Sequence, residues 1–175
     1  MTVQWRGRFL EDFAIGDLHN SRLGRTVTEA NVHVADDEHQ QMHFNRSFAE
    51  RTEFGQPLVV STLMLAIVLG LSVADTSENA VANLGWGDIT LPRPVFAGDT
   101  LWAESEVLSV RESRSRPICG IVRILTRGLN QRGEVVIEFT RSFMVFKRAA
   151  PEVGEAFPTT DTPWTVPKAR EGDEG

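Results

Sequence analysis

The sequence predicts an α+β domain in which a curved antiparallel sheet wraps one long apolar helix, and three observations carry that prediction. One run, "PLVVSTLMLAIVLGLSVA" over residues 57–74, is apolar almost throughout. Four later stretches, all beyond residue 75, are rich in β-branched and apolar residues and are divided by turn residues. Helix before residue 75 and strands after it is the order of an α+β layer rather than of alternating βαβ units. The 175 residues suit one domain, and 41% apolar with 24% charged residues is an ordinary globular composition.

Taken in order, "FLEDFAIGDL" reads as an extended entry with a turn at Gly16 and Asp17, and "SRLGRTVT" as a strand or arm. Thr28 is a suitable N-cap with Glu29 in the first turn, so a helix is expected from about residue 29, fraying near residues 36–39. "NRSFAERTEFG" reads as a short helix capped at Asn45 or Ser47 and stopped by Gly55. The apolar run 57–74 approaches the roughly 17–25 residues of a membrane span. It carries Ser61, Thr62 and Ser72 and lacks a basic flank, so a helix buried by protein on all sides is expected instead.

The strand candidates are "AVANLGWGDITL", "TLWAESEVLSV", "GIVRILTRGL" and "GEVVIEFTRSFMVF", with Trp86 of the first expected in the core. In the last, Val135, Ile137 and Phe139 alternate with Glu134, Glu138 and Thr140, and "NQRG" before it is a hairpin turn. Residues 1–148 are therefore expected to form a single domain. Residues 149–175, with four of the eight prolines and the acidic end "EGDEG", are expected to form an extended or disordered arm. One helix with four or five long antiparallel strands is the outline of a hot-dog fold. Such a sheet leaves an edge and a face open, so pairing with a second copy is expected.

A net charge of -6 and a pI near 5.2 argue against nucleic acid or an anionic membrane as the main partner. The single cysteine, Cys119, allows no intrachain disulfide and reads as a buried thiol in a strand. "MTVQWRGRF" lacks the apolar run of a signal peptide, so a cytoplasmic setting is expected.

Chemistry concentrates in "DDEHQQMHFN", residues 36–45, where three acids and two of the chain's four histidines meet. Such a loop is often just a solvated helix end. A metal site from His33, His39 and His43 is not expected, because "HQQMH" lacks the glutamate of the zinc-peptidase pattern and no later Cys or His cluster completes a ligand set. Ser61 in "LVVSTLM" lacks a nucleophile elbow.

This loop, "TEFG", the apolar helix and "LPRPVFAGDTLWAESEVL" follow one another in an order that resembles the MaoC-like (R)-specific enoyl-CoA hydratases and dehydratases, over roughly residues 8–147. In that family the loop reads Asp-x-Asn-Pro-x-His, and its acid and histidine act on one water. The resemblance places the histidine on His43 and the acid on Glu38, with Gln40 in the Asn place, Gln41 in the Pro place and Asp37 as the rival acid. It implies a hydro-lyase that adds or removes water at the 2,3 position of an acyl thioester. That reaction needs a base on water, a proton for the α carbon and donors for a developing enolate oxygen. Glu38 and His43 would share the first two tasks.

Backbone N–H groups near Val60, Ser61 and Thr62, at the helix start where relatives often read His-Gly, would supply the third. Gln40, Gln41, Phe54, Gly55 and Trp86 would line the substrate. Arg114 and Arg116 of "SVRESRSRP" are expected to grip coenzyme A phosphates or the carboxylate of a dicarboxylic acyl group such as mesaconyl. "NAVANLGWGDI" and "RESRSRP" resemble the subgroup handling short branched or dicarboxylic acyl groups. The implied partner is an acyl-CoA or acyl-carrier thioester, with no cofactor beyond coenzyme A as part of the substrate and a homodimer or higher homo-oligomer as the assembly. The scaffold also permits a thioesterase, a recruited biosynthetic dehydratase or cyclase, or a non-catalytic acyl-binding or assembly subunit.

Overall fold

The computed structural model describes residues 7–33, 40–150 and 160–163. A 3-10 turn at Leu10–Asp12 leads into strands β1 (Leu18–Asn20) and β2 (Arg25–Thr26), then short helices α1 (Glu29–His33), α2 (Gln41–Phe44) and α3 (Arg46–Ala49). The long helix α4 (Ser61–Thr76) precedes strands β3 (Ala80–Thr90), β4 (Thr100–Glu112), β5 (Cys119–Leu129) and β6 (Val135–Phe146). The strands lie in the order β1-β4-β5-β6-β3 with every pairing antiparallel, and β2 also pairs with β4.

The sheet curls around α4 in a hot-dog arrangement. Met64, Ile67 and Val68 of the helix are buried against Leu101, Ala103, Ile137 and Phe139 of the sheet and against Val27 and Val95. Each such side chain contributes about 1.5–3 kcal/mol by leaving water. Helix and sheet can approach this closely because β5 has no side chain at Gly128: a Cβ there would stand 2.6 Å from a Val68 methyl.

The four expected strands form within two residues of their expected ends. The helix caps also follow expectation. Thr28 and Asn31 bond reciprocally at the start of α1, and Asn45 accepts from the Phe48 N–H at the start of α3.

The long helix begins at Ser61 rather than near Pro57, because Leu58 and Val59 are extended: Leu58 bridges Phe96, and the Val59 N–H donates to the Val95 carbonyl. Nor is α4 buried on all sides, since Ala66, Gly70 and Ala74 form an exposed stripe at i, i+4 spacing. Trp86 is 46% exposed in β3, so the core expectation for it fails. β3 is the edge strand at one end of the sheet, β1 at the other, and three register shifts interrupt the pairing of β3 with β6. The C-terminal arm falls largely outside the described residues, which include only 160–163 beyond Ala150.

The alternation seen in β6 continues past the residues that suggested it. Ile137, Phe139, Arg141, Phe143 and Val145 are all buried, and so is Val136 on the opposite face. Arg141 is thus a cation set in an apolar row. Its Nη2 donates to Thr76 Oγ1 at 2.9 Å and its guanidinium lies 4.8 Å above the Phe143 ring, but its buried Nε has no hydrogen-bond partner among the described residues. Burial lowers its pKa to about 10. The unfolded chain holds that proton more tightly, so the charge opposes folding in full at every pH below about 10. Arg141→Met should therefore raise stability at neutral pH by about 1–3 kcal/mol in chemical denaturation; a lowered midpoint would mean that the cation has an anionic partner that compensates it.

Candidate active site

His43 lies in the single turn of α2, buried, with Nδ1 3.0 Å from the Leu58 carbonyl oxygen. The Leu58 N–H donates to the Met42 carbonyl at 3.2 Å. Leu58 thereby uses both polar groups of its backbone on the loop that carries the imidazole. A carbonyl oxygen only accepts, so Nδ1 carries a proton and the lone pair of the neutral ring is at Nε2. Nε2 stands 3.2 Å from Gln40 Oε1, so a bare Nε2 calls for the amide turned with its nitrogen inward. A primary amide offers an acceptor at one end and donors at the other, so by rotating it can satisfy Nε2 in either protonation state.

The position of Leu58 depends in turn on "VFAGDT". Asp99 is buried, and one of its carboxylate oxygens accepts the Phe96 N–H at 2.9 Å while the other accepts Gln131 Nε2 at 2.7 Å. Gly98 makes the turn at φ +96°, a conformation that favours glycine. Its N–H and the Asp99 carbonyl both bond Val27, at 2.8 Å each. This motif is a backbone clamp: it fixes Val95 and Phe96, which fix Leu58 and Val59.

Immediately after the clamped pair, α4 starts. Val60 is its N-cap and has no side-chain acceptor to offer. The first closed helical bond runs from the Met64 N–H to the Val60 carbonyl, so the Ser61 and Thr62 N–H groups have no acceptor within the helix. They point out of the positive end of a 16-residue helix. His43 and Ser61 line one cleft of about 250 Å³, whose remaining wall includes Phe54, Leu58, Met64 and Arg93. A histidine lone pair and backbone donors facing one mostly apolar space can move a proton at one atom while stabilising negative charge at another.

The other expected site residues divide. Phe54 and Ser61 join His43 in lining the cleft, while Gln40 touches His43 Nε2 and Val60 and Thr62 flank Ser61 without lining it. Gly55 ends its turn at φ +66° and lines a neighbouring recess of about 170 Å³ with Glu29, Arg46 and Pro57. Gln41 is exposed, and its side-chain oxygen accepts from Asn45 Nδ2 at 2.8 Å. Trp86 sits out on the β3 edge and is not in the cleft wall. Arg114 and Arg116 lie in the β4–β5 hairpin, at the far end of β4 from the Asp99 clamp, and the 13 residues of that strand span roughly 40 Å. One chain does not bring them to its own His43.

Glu38 and Asp37 lie outside the described residues, as does His39 of the metal reading. Among the described residues no three potential ligands cluster. Sequence reasoning passed over Arg93, although its place between Pro92 and Pro94, just before the clamp, was a signal that it is rigidly held beside the site.

A family model described as mesaconyl-CoA hydratase matches residues 2–171. The chain is 38% identical over 157 residues to the mesaconyl-CoA hydratase of Cereibacter sphaeroides, covering 87% of this chain and 46% of that protein. It is 33% identical to the beta-methylmalyl-CoA dehydratase of Chloroflexus aurantiacus, covering 93% of this chain and 50% of that one. The chain thus spans about half the length of these relatives. Among solved structures, a MaoC-like dehydratase from Rhodospirillum rubrum superposes with a TM-score of 0.71 at 32% identity, over 82% of this chain and 100% of that one.

The His43–Leu58 contact makes a spectroscopic prediction. At a pH where the ring is neutral, ¹⁵N–¹H correlation should find His43 protonated at Nδ1 and bare at Nε2. The opposite tautomer would mean that the ring is not anchored by Leu58.

Proposed function

The chain belongs to the mesaconyl-CoA hydratase family of MaoC-like hot-dog proteins, and from that premise we propose that it is a hydro-lyase acting on a 2-enoyl or 3-hydroxyacyl thioester. The observation that carries the proposal is the meeting of His43 and the α4 start in one cleft. In the hydration direction, His43 with Glu38, or with its rival Asp37, takes a proton from water as the oxygen bonds C3. The C2–C3 π pair moves toward the thioester, whose oxygen gathers negative charge against the Ser61 and Thr62 N–H groups. Delivery of a proton to C2 restores the thioester, and the net change is one added water. Nothing is oxidised or reduced, so the step needs no cofactor beyond the coenzyme A that the substrate carries.

The names of the relatives favour a short branched dicarboxylic acyl group such as mesaconyl. Coenzyme A chemistry and the lone buried cysteine support a cytoplasmic setting. Among the described residues no helix is long and apolar enough to cross a membrane.

The assembly belongs to the same proposal. β3 is an open edge carrying Leu84, Trp86 and Ile89, with Leu91 just past its end, each more than 40% exposed, and α4 leaves its small-residue stripe uncovered. An apolar strand edge of this kind invites a partner strand, so the proposed state is a homodimer joined along β3. Light scattering should return twice the chain mass, and Trp86→Lys with Ile89→Lys should shift it toward one; an unmoved dimer would place the interface elsewhere.

The reaction is tested by incubating the protein with mesaconyl-CoA and crotonyl-CoA and resolving products by mass. A gain of one water is expected, whereas release of free thiol would establish a thioesterase and intact thioesters a binding role. His43→Ala and Glu38→Gln should each lower kcat by about 10²–10⁴, with Asp37→Asn made alongside to fix which acid acts. Ser61→Pro isolates the donor. Proline is tolerated at the first helical position and Val60 already has the extended backbone that a following proline requires, so α4 should persist while the N–H is lost. Hydration should fall by about 10²–10³ with thermal stability retained.

A further inference from the structure

Among the described residues lining the His43 cleft, Arg93 is the only one with a permanent charge, and no acid lines it. The guanidinium is steered but not consumed. Nη1 donates to the Val135 carbonyl at 3.2 Å, and Nε lies 3.7 Å from Glu134. Glu134 divides its charge: Arg132 Nε at 2.7 Å and Asn130 Nδ2 at 2.8 Å both reach Oε2, and the oxygen facing Arg93 is Oε1, beyond hydrogen-bond distance. Nη2 of Arg93 donates no hydrogen bond among the described residues, and the side chain is half exposed. Pro92 and Pro94 stiffen the backbone on both sides, so the group is presented from a rigid strut.

We propose that Arg93 reads the free carboxylate of a dicarboxylic acyl group and so sets the substrate class of this cleft. The inference rests on the hydro-lyase reading above. In a trans-2-enedioyl thioester the carboxylate is attached to C3, the carbon that water attacks. With the thioester oxygen at the start of α4 and C3 facing His43, the carboxylate meets the rest of the cleft wall. That wall is otherwise largely apolar, lined by Phe54, Leu58, Met64 and Val95, and would reject a bare carboxylate. A guanidinium fork matches the two oxygens. Pairing also withdraws the negative charge that would oppose an oxygen nucleophile at the adjoining carbon. An acyl chain ending in a methyl group gains none of this. Arg114 and Arg116, with the wider length of β4 between them and the clamp, are not needed for the task.

The test is the ratio of kcat/KM for mesaconyl-CoA to that for crotonyl-CoA, measured on the wild type, Arg93→Gln and Arg93→Lys. The ratio should fall about 10- to 100-fold in Arg93→Gln, the range of a charge-assisted hydrogen bond, and less in Arg93→Lys, which keeps the charge but not the fork. An unmoved ratio in both variants overturns the assignment. Wild type that hydrates crotonyl-CoA but not mesaconyl-CoA overturns it too, while leaving the hydro-lyase reading standing. Wild type that hydrates neither overturns that reading, and this one with it.

Discussion

The backbone of Leu58 is the joint on which the cleft depends. Its N–H reaches Met42, its carbonyl takes His43 Nδ1, and it bridges Phe96 across to the segment leading into β4. One residue therefore ties the short helix that carries the imidazole to the sheet, two residues before the helix cap. Its own place is secured by the Asp99 carboxylate and by the Gly98 turn. A chain of backbone bonds from Val27 through Asp99, Phe96 and Leu58 to His43 sets the cleft geometry. Packing against α4 then holds that chain in place.

The second core cluster, around Phe13 and Phe143, is built differently. There Phe13 stands edge-on to both His19 and Phe143, and Arg141 lies over Phe143, so aromatic rings enclose two buried bases. His19 Nε2 has no hydrogen-bond partner among the described residues. Burial, with Arg8 nearby, holds its pKa below the ordinary histidine value. Charge on His19 or Arg141 works against the fold, while charge at the cleft is answered by donors and acceptors. The two regions thus divide the labour: one concentrates polar groups with partners or with solvent access, and the other tolerates unpartnered ones inside a tight apolar shell.

Much of this was legible in the sequence, because the β-strands and the long helix are local, repetitive patterns of apolar residues, and the Thr28 and Asn45 caps are local hydrogen-bond motifs. The errors came where tertiary pairing overrides a local preference. Leu58 and Val59 look helical in an apolar run, yet their backbones are claimed by Phe96 and Val95. Trp86 looks like core, yet its strand is an edge. Arg141 occupies a core position that alternation from Val135 to Phe139 marks correctly, but no pattern rule foresees a cation there. Arg114 and Arg116 follow the far end of β4, a separation that charge alone does not reveal. For His43 and the α4 start it was order along the chain, not composition, that suggested the juxtaposition now seen in one cleft.

The same backbone logic explains how the loop can depart from the Asp-x-Asn-Pro-x-His pattern without dismantling the cleft. The imidazole is oriented by the Leu58 carbonyl, and the proposed enolate donors are the Ser61 and Thr62 N–H groups, so neither depends on the identity of a neighbouring side chain. Gln41 in the proline place adds an N–H and φ freedom, but α2 is still closed by the His43 N–H on the Gln40 carbonyl and by the Asn45 N–H on the Gln41 carbonyl. Gln40 in the Asn place has one more methylene, and its amide still meets Nε2. Val60 and Ser61 stand at the helix start, where backbone donors and the dipole require no particular side chain. Apart from the Asp99 carboxylate, the groups that hold the cleft are peptide groups, which substitution cannot remove except by proline.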